Sequence, residues 1–225
     1  LTVNEFLSVQ VHPDDNRAAE MHHAYGKTEM WYIMDAKPEA RLYLGFNREM
    51  TPAEFYSRCE QETLPEVMNC IKPVKGECYF IPAGLVHACG GGLTIAGVQQ
   101  VSDITYRVYD WGREHDPATA REMHMELAID CIDYHKHVPA PATTGLLVDS
   151  PYFKVRFEMM DEPQEIDGSA LDEFVVYMEL EGSLTVLSGG LPYKPSGKGC
   201  ILIPASVDHW KLVPEGKTAF LEITR

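Results

Sequence analysis

The chain of 225 residues is long enough to bury a sizeable core, and its 45% hydrophobic content with ordinary Gly and Pro usage excludes a disordered polymer. A formal net charge of −15 argues against a nucleic-acid surface, which would need a basic stripe, yet a few local cations could still hold a small anion. The six cysteines (Cys59, Cys70, Cys78, Cys89, Cys131 and Cys200) form no CxxC pair, and no apolar run reaches membrane-spanning length. These features lead us to expect a protein of a reducing cytoplasm with neither nucleic-acid nor membrane partners.

In chain order, the first residues read as short strands at 6–12, 30–34 and 40–46. The opening LTVNEFLSVQ reads like the middle of a strand–loop–strand, so a preceding segment is expected. Thr51-Pro52-Ala53-Glu54 combines an N-cap, a Pro at the first helical position and an acidic first turn, which predicts a helix of roughly three turns inside an insertion at about 47–69. Strand character returns over 72–86 and continues at 93–101 and 104–111. The spacing of Met123, Leu127 and Cys131 predicts a connecting helix within 117–134, followed by the unpatterned Pro-rich segment HVPAPATTG. From 152 to 225 short strands alternate with Gly and Pro. The expected organisation is an all-β unit at 1–115, a helical linker at 116–143 and a second all-β unit at 144–225.

The second half repeats the first. Sixteen residues separate Glu29 from Gly45, and sixteen separate Glu173 from Gly189. Ile81-Pro82 leads to His87 as Ile203-Pro204 leads to His209, with five residues from Pro to His in each. Counting back nineteen residues from each Glu sets Gln10 and His12 against Lys154 and Arg156. On this spacing the second unit carries cations where the first carries possible ligands, and it is expected to be metal-free.

Gln10 and His12 are two apart in an alternating run, so they share one face of a strand. Glu29 opens a second strand and His87 lies far downstream, and together the four supply oxygen and nitrogen donors that suit one zinc ion. Gly76-x5-Pro82-x-Gly84-x2-His87 resembles the second cupin motif, which delivers a His into a jelly-roll barrel. The expected fold is therefore all-β, with two cupin-like jelly rolls. Asp103, Thr105, Arg107 and Tyr109 share a strand face, making Asp103 a candidate partner that orients Arg107. Lys72 is a candidate phosphate contact because its strand leads into the His87 motif. The doublet His22-His23, His135, His137 and the acidic run from Met160 read as solvated features, and His209 as a core or edge histidine.

LSVQVHPDD, GKTEMWYI, IPAGLVHA and QQVSDITYRVYDWGR together resemble the type I phosphomannose isomerase (mannose-6-phosphate isomerase) family over nearly the whole chain. The resemblance implies a zinc-dependent isomerase interconverting mannose 6-phosphate and fructose 6-phosphate, with zinc on Gln10, His12, Glu29 and His87. It also implies an active-site role for Arg107 and a proton-relay or substrate role for Lys27. A small-molecule sugar phosphate is the expected partner, and the chain is expected to be a monomer or weak homodimer. One departure stands out: where the family carries a Glu in a segment like AEIQQ, this chain reads Ala96-Gly97-Val98-Gln99-Gln100. The missing carboxylate leaves Asp103, Lys27 or a metal-bound water to move the proton. It also supports an alternative, a metal-retaining sugar-phosphate-binding cupin with little or no turnover.

Overall fold

The computed structural model describes residues 1–195 and 199–225. By contact the chain divides into two units, Leu1–Pro141 and Ala142–Arg225. In the first, nine strands form two antiparallel sheets: β1 (Thr2–Val3), β2 (Val9–Val11), β3 (Glu29–Ala36), β4 (Arg41–Phe46), β5 (Met68–Ile71), β6 (Cys78–Ile81), β7 (His87–Gly90), β8 (Leu93–Gln99) and β9 (Tyr106–Tyr109). One sheet runs β1-β8-β3-β6 and the other β5-β4-β7-β2-β9.

Side-chain alternation sorts these strands into layers. Trp31, Ile33, Leu42, Leu44, Ile81 and Ile95 fill the space between the sheets. Val9, Val11, Phe46 and Val108 face the other way, against Phe55 of helix α2 (Pro52–Glu60) and Ala128 of helix α3 (Met125–Ile129). Gln10 of β2, and His12 directly after the strand, are thereby turned into the barrel. A third helix, α1 (Asp15–His22), joins β2 to β3, with Asp14 accepting a hydrogen bond from the Arg17 N–H as its cap.

Several sequence expectations are revised. The first strand is shorter than 6–12 because the carbonyls of Phe6 and Leu7 accept hydrogen bonds from Arg113 and the Trp111 indole. Helix α2 and its Thr51 cap are present as expected. The helix expected within 117–134 is only the five residues of α3, without a side-chain cap, because His124 immediately before it is hydrogen-bonded to the edge of β9. Residues up to Pro141 belong with the first unit, since Ala128 and Ile132 are buried in its outer core.

The second unit holds β10 (Gly145–Asp149), β11 (Lys154–Met160), β12 (Gln164–Asp167), β13 (Val175–Glu181), β14 (Leu184–Ser188), β15 (Leu191–Tyr193), β16 (Cys200–Ile203), β17 (His209–Pro214) and β18 (Thr218–Thr224). Its sheets run β10-β11-β18-β13-β16 and β12-β17-β14-β15. Matching neighbour to neighbour, β11 corresponds to β1 and β12 corresponds to β2. Lys154 and Arg156 therefore do not occupy the places of Gln10 and His12.

Pairing register corrects the repeat further. Glu29 faces Ile81 across β3 and β6, whereas Ile203 faces Val175, so Val175 and not Glu173 is the counterpart of Glu29. On β17 the inward side chains are Trp210 and Leu212, both core residues, while His209 is exposed beside Asp167. Trp210 faces Ile166 on β12 as His87 faces Gln10 on β2. A one-residue slip reverses the facing of a whole strand, so the sequence alignment of His209 with His87 places the right residue type on the wrong side. The inner positions matching Gln10, His12, Glu29 and His87 are Ile166, Gly168, Val175 and Trp210. All six cysteines are free, and among the described residues no helix is long and apolar enough to cross a membrane.

Candidate metal centre

Four strands and one turn carry the site. Gln10 on β2 pairs with His87 on β7 and, on its other side, with Arg107 on β9. Glu29 enters from the opposite sheet as the first residue of β3. β2 ends at Val11, and His12 and Pro13 follow it. The turn that delivers His87 is tied to β2 by the Gly84 N–H, which donates to the His12 carbonyl at 2.9 Å; Gly84 has φ +88°, a conformation that favours glycine.

The two imidazoles are set by their far nitrogens. His12 Nδ1 lies 2.8 Å from the Ile104 carbonyl and His87 Nδ1 lies 2.8 Å from the Leu85 carbonyl. A carbonyl can only accept, so each Nδ1 carries the proton and each Nε2 presents a lone pair. Both lone pairs converge on Glu29: His12 Nε2 is 3.8 Å from Oε2, and His87 Nε2 is 3.4 Å from Oε1. The three ligand atoms lie within 4.8 Å of one another. His87 is 0%, His12 1% and Glu29 4% exposed. The Gln10 amide nitrogen is 3.3 Å from His87 Nε2, and turning that amide end over end would present its oxygen instead.

The polar chemistry of this pocket fits a cation. Among the described residues His12 Nε2 is buried with no hydrogen-bond partner, a state that costs about 1–3 kcal/mol unless something accepts its lone pair. Burial would raise the Glu29 carboxyl, but His12, His87 and Lys27 outweigh it and hold the group at about 2. Burial, reinforced by His12, lowers His87 to about 4, so its ring is neutral near pH 7 as a ligand must be. Imidazole nitrogens with a carboxylate and an amide oxygen are the donor set of a borderline metal such as zinc.

Lys27 is at the site: its Nζ is 3.3 Å from Glu29 Oε2, and its side chain is largely buried. The backbone around it is fixed at three successive residues. Gly26 N–H donates to Asp15, Lys27 N–H to the Pro13 carbonyl, and Thr28 N–H to the Gln100 side chain. Gln100 Nε2 in turn donates to the same Asp15 oxygen. A side chain at Gly26 would run into the backbone of Asp14 and Asp15.

Arg107 shares the inner face with Gln10, but Asp103 does not orient it. Asp103 precedes β9 and is exposed, and among the described residues no hydrogen bond or ion pair joins the two. The guanidinium donates instead to the Glu122 carbonyl at 2.5 Å. The nearby side-chain carboxylate is Asp110, fully buried and bound by both Arg113 and Arg121. Burial, followed by the Arg121 charge, presses the Arg107 pKa downward. Lys72 is exposed and lines a separate groove with Asn47, Asn69, Glu77 and Tyr79; it lies in the loop between β5 and β6 rather than on the expected strand over 72–86, and is not brought to the metal ligands.

Gly97 faces Trp31 across β3 and β8, two residues along from the Glu29–Gln99 pair, and so lies on the barrel's inner face. A Cβ there would meet only the Met30 carbonyl, at 3.9 Å. The matching position in the second unit, opposite Tyr177, is Glu222. Helix α1, the Asp110 arginine cluster and the Glu122–His124 contacts to Arg107 were not read from the sequence. The Pro13-Asp14-Asp15 start would have signalled the helix, whereas no local pattern signals the other two.

No protein-family model matches the chain. It is 33% identical to a probable mannose-6-phosphate isomerase of Bacillus subtilis, over 98% of this chain and 72% of that protein. It is 32% identical to a mannose-6-phosphate isomerase of Streptococcus mutans, over 94% of this chain and 68% of that protein. Among solved structures, the mannose 6-phosphate isomerase of Bacillus subtilis superposes with a TM-score of 0.84 at 27% identity, covering 100% of this chain and 74% of that one. A mannose 6-phosphate isomerase bound with zinc and yttrium superposes with a TM-score of 0.67 at 13% identity, covering 98% and 77%, a likeness that shows the fold alone.

Proposed function

The chain belongs to the mannose-6-phosphate isomerase family, and from that premise we propose that it interconverts mannose 6-phosphate and fructose 6-phosphate through a cis-enediolate, using one zinc ion. The observation that carries this reading is the buried convergence of two imidazole lone pairs and one carboxylate, with His12 Nε2 otherwise unpartnered among the described residues. Gln10, His12, Glu29 and His87 are the residues that would hold the metal. Zinc bound there would polarise a sugar oxygen as a Lewis acid.

The remaining parts are supplied by the chain itself. Arg107, beside Gln10 on the inner face, is assigned the stabilisation of the negative charge that develops on the enediolate oxygens. Lys27 is the amine at the ligand cluster and is assigned the proton transfer between C1 and C2. Six free cysteines fit a cytoplasmic setting.

A second reading rests on Gly97. The inner-face position where a carboxylate would project is open, so the chain could hold metal and sugar phosphate with little turnover. Two measurements separate the readings. Metal analysis of the purified chain should find zinc, and iron in its place would remove the isomerase reading. A coupled assay should detect fructose 6-phosphate formed from mannose 6-phosphate; a zinc-loaded protein that binds the sugar without converting it would establish the second reading.

A further inference from the structure

We propose that His124 is a positioning residue for Arg107, holding it against the metal centre through an unprotonated Nδ1. The inference rests on the reading that Arg107 acts on the substrate. Strand β9 is the edge of its sheet, so the outward N–H and C=O of Arg107 have no neighbouring strand to pair with. His124 satisfies both. Its Nδ1 accepts the Arg107 N–H at 3.2 Å, and its own N–H donates to the Arg107 carbonyl at 2.8 Å. The guanidinium is caught two residues earlier, on the Glu122 carbonyl at 2.5 Å. One short segment thus fixes the backbone and the charged end of the same arginine.

The clamp also sets the approach to the metal ligands. With its N–H and C=O both turned outward to His124, Arg107 faces Gln10 as a non-hydrogen-bonded pair. Such pairs bring their Cα atoms to about 4.5 Å, the closer of the two antiparallel spacings. His124 is itself anchored: its carbonyl accepts the Ala128 N–H at 2.9 Å, and Ala128 is fully buried in the outer core. The accepting Nδ1 requires the ring proton, if only one is present, to sit on Nε2. An apolar residue at 124 would keep the backbone bond but leave the Arg107 N–H unpaired.

The test uses the full zinc-loaded chain and three variants: His124→Ala, His124→Asn and Arg107→Ala. The Asn carboxamide oxygen stands where Nδ1 does, so it should restore the acceptor. His124→Ala is expected to lower kcat by about 10- to 100-fold, the scale of a small misplacement of a reacting group. KM should stay within about twofold and zinc content should be unchanged, while His124→Asn should recover most of kcat. Amide hydrogen exchange, followed by NMR, should quicken at Arg107 in the Ala variant and not in the Asn variant. Exchange at Gly84, whose N–H is held by the His12 carbonyl, should hold steady in both. Unchanged kcat and unchanged Arg107 exchange in His124→Ala would overturn the proposal, as would an Asn variant as impaired as the Ala variant. Full turnover in Arg107→Ala would instead remove the assignment of Arg107 to the chemistry. The exchange data judge the clamp even if the parent chain proves to turn over no substrate.

Discussion

At the inner start of β7 the first unit places His87, and at the matching place on β17 the second unit places Trp210. Around His87 stand Gln10, His12 and Glu29, while around Trp210 stand Ile166, Gly168 and Val175. Trp31 meets the His87 ring edge-on, with centroids 5.4 Å apart; in the second unit Tyr177 accepts the Trp210 indole N–H at 3.2 Å. A Cβ on Gly168 would run into the Trp210 ring, so that barrel is filled to contact where the other is lined with donors. The same strand plan supports a cation site only where apolar packing leaves buried lone pairs without partners. The first unit also adds β9, and with it Arg107, for which the second unit has no matching strand among the described residues.

The contrast can be broken most sharply at the ligands. His87→Ala should abolish metal binding and with it turnover, read by metal analysis and the coupled assay; a variant that kept stoichiometric zinc would show the cation to be held elsewhere. In the other barrel, Trp210→Ala should cost about 3–5 kcal/mol of stability by denaturant unfolding, with zinc content unchanged if the two sites are independent. Arg107→Ala should retain metal and lose roughly 10²–10³ in kcat, the scale for removing a group that stabilises a developing oxyanion.

A fourth change borrows from the second unit. Gly97→Glu sets a carboxylate where Glu222 stands opposite Tyr177. If the missing base limits turnover, kcat should rise by about tenfold or more; no gain would leave the proton transfer with Lys27 or a metal-bound water. The smallest effect is one of pH. Burial raises the Glu222 carboxyl above its ordinary value. The folded state therefore binds that proton more tightly than the unfolded state, so its contribution is present at low pH and fades as pH rises through the raised value. Metal binding runs the opposite way, because its ligands must lose protons. Glu222→Gln should flatten the fall in stability as pH rises above the ordinary carboxylate range, measured by unfolding at fixed metal.

Much of this was legible in the sequence because the signals were local. Alternation around Gln10 and His12 gave their shared face, and Thr51-Pro52 gave helix α2. The four candidate ligands lie on strands whose pattern also announces them. What escaped depends on pairing between distant strands. The repeat suggested Lys154 and Arg156 opposite the ligand pair, but only the adjacency of β11 to β18 shows them on a different strand. Asp103 was two residues of alternation from Thr105 and four from Arg107, yet the strand begins only at Tyr106, so the shared face does not extend to it. Lys72 begins a segment that leads to His87 in sequence while its side chain faces a groove elsewhere. His124 lies outside any recognisable pattern, and its role comes from the open edge of β9.

The facing of β17 carries a consequence for how such a pair of barrels can diverge. Replacing Ile166, Gly168, Val175 and Trp210 one at a time alters what points inward, but no substitution changes which positions point inward. His209 already supplies the imidazole; it stands one step out of phase. Gain or loss of a single codon in the loop between Pro204 and His209 would shift that phase for the strand as a whole. The difference in facing between the two barrels corresponds to one residue more in the second, which comparison of the two halves by substitution alone reads as ordinary similarity.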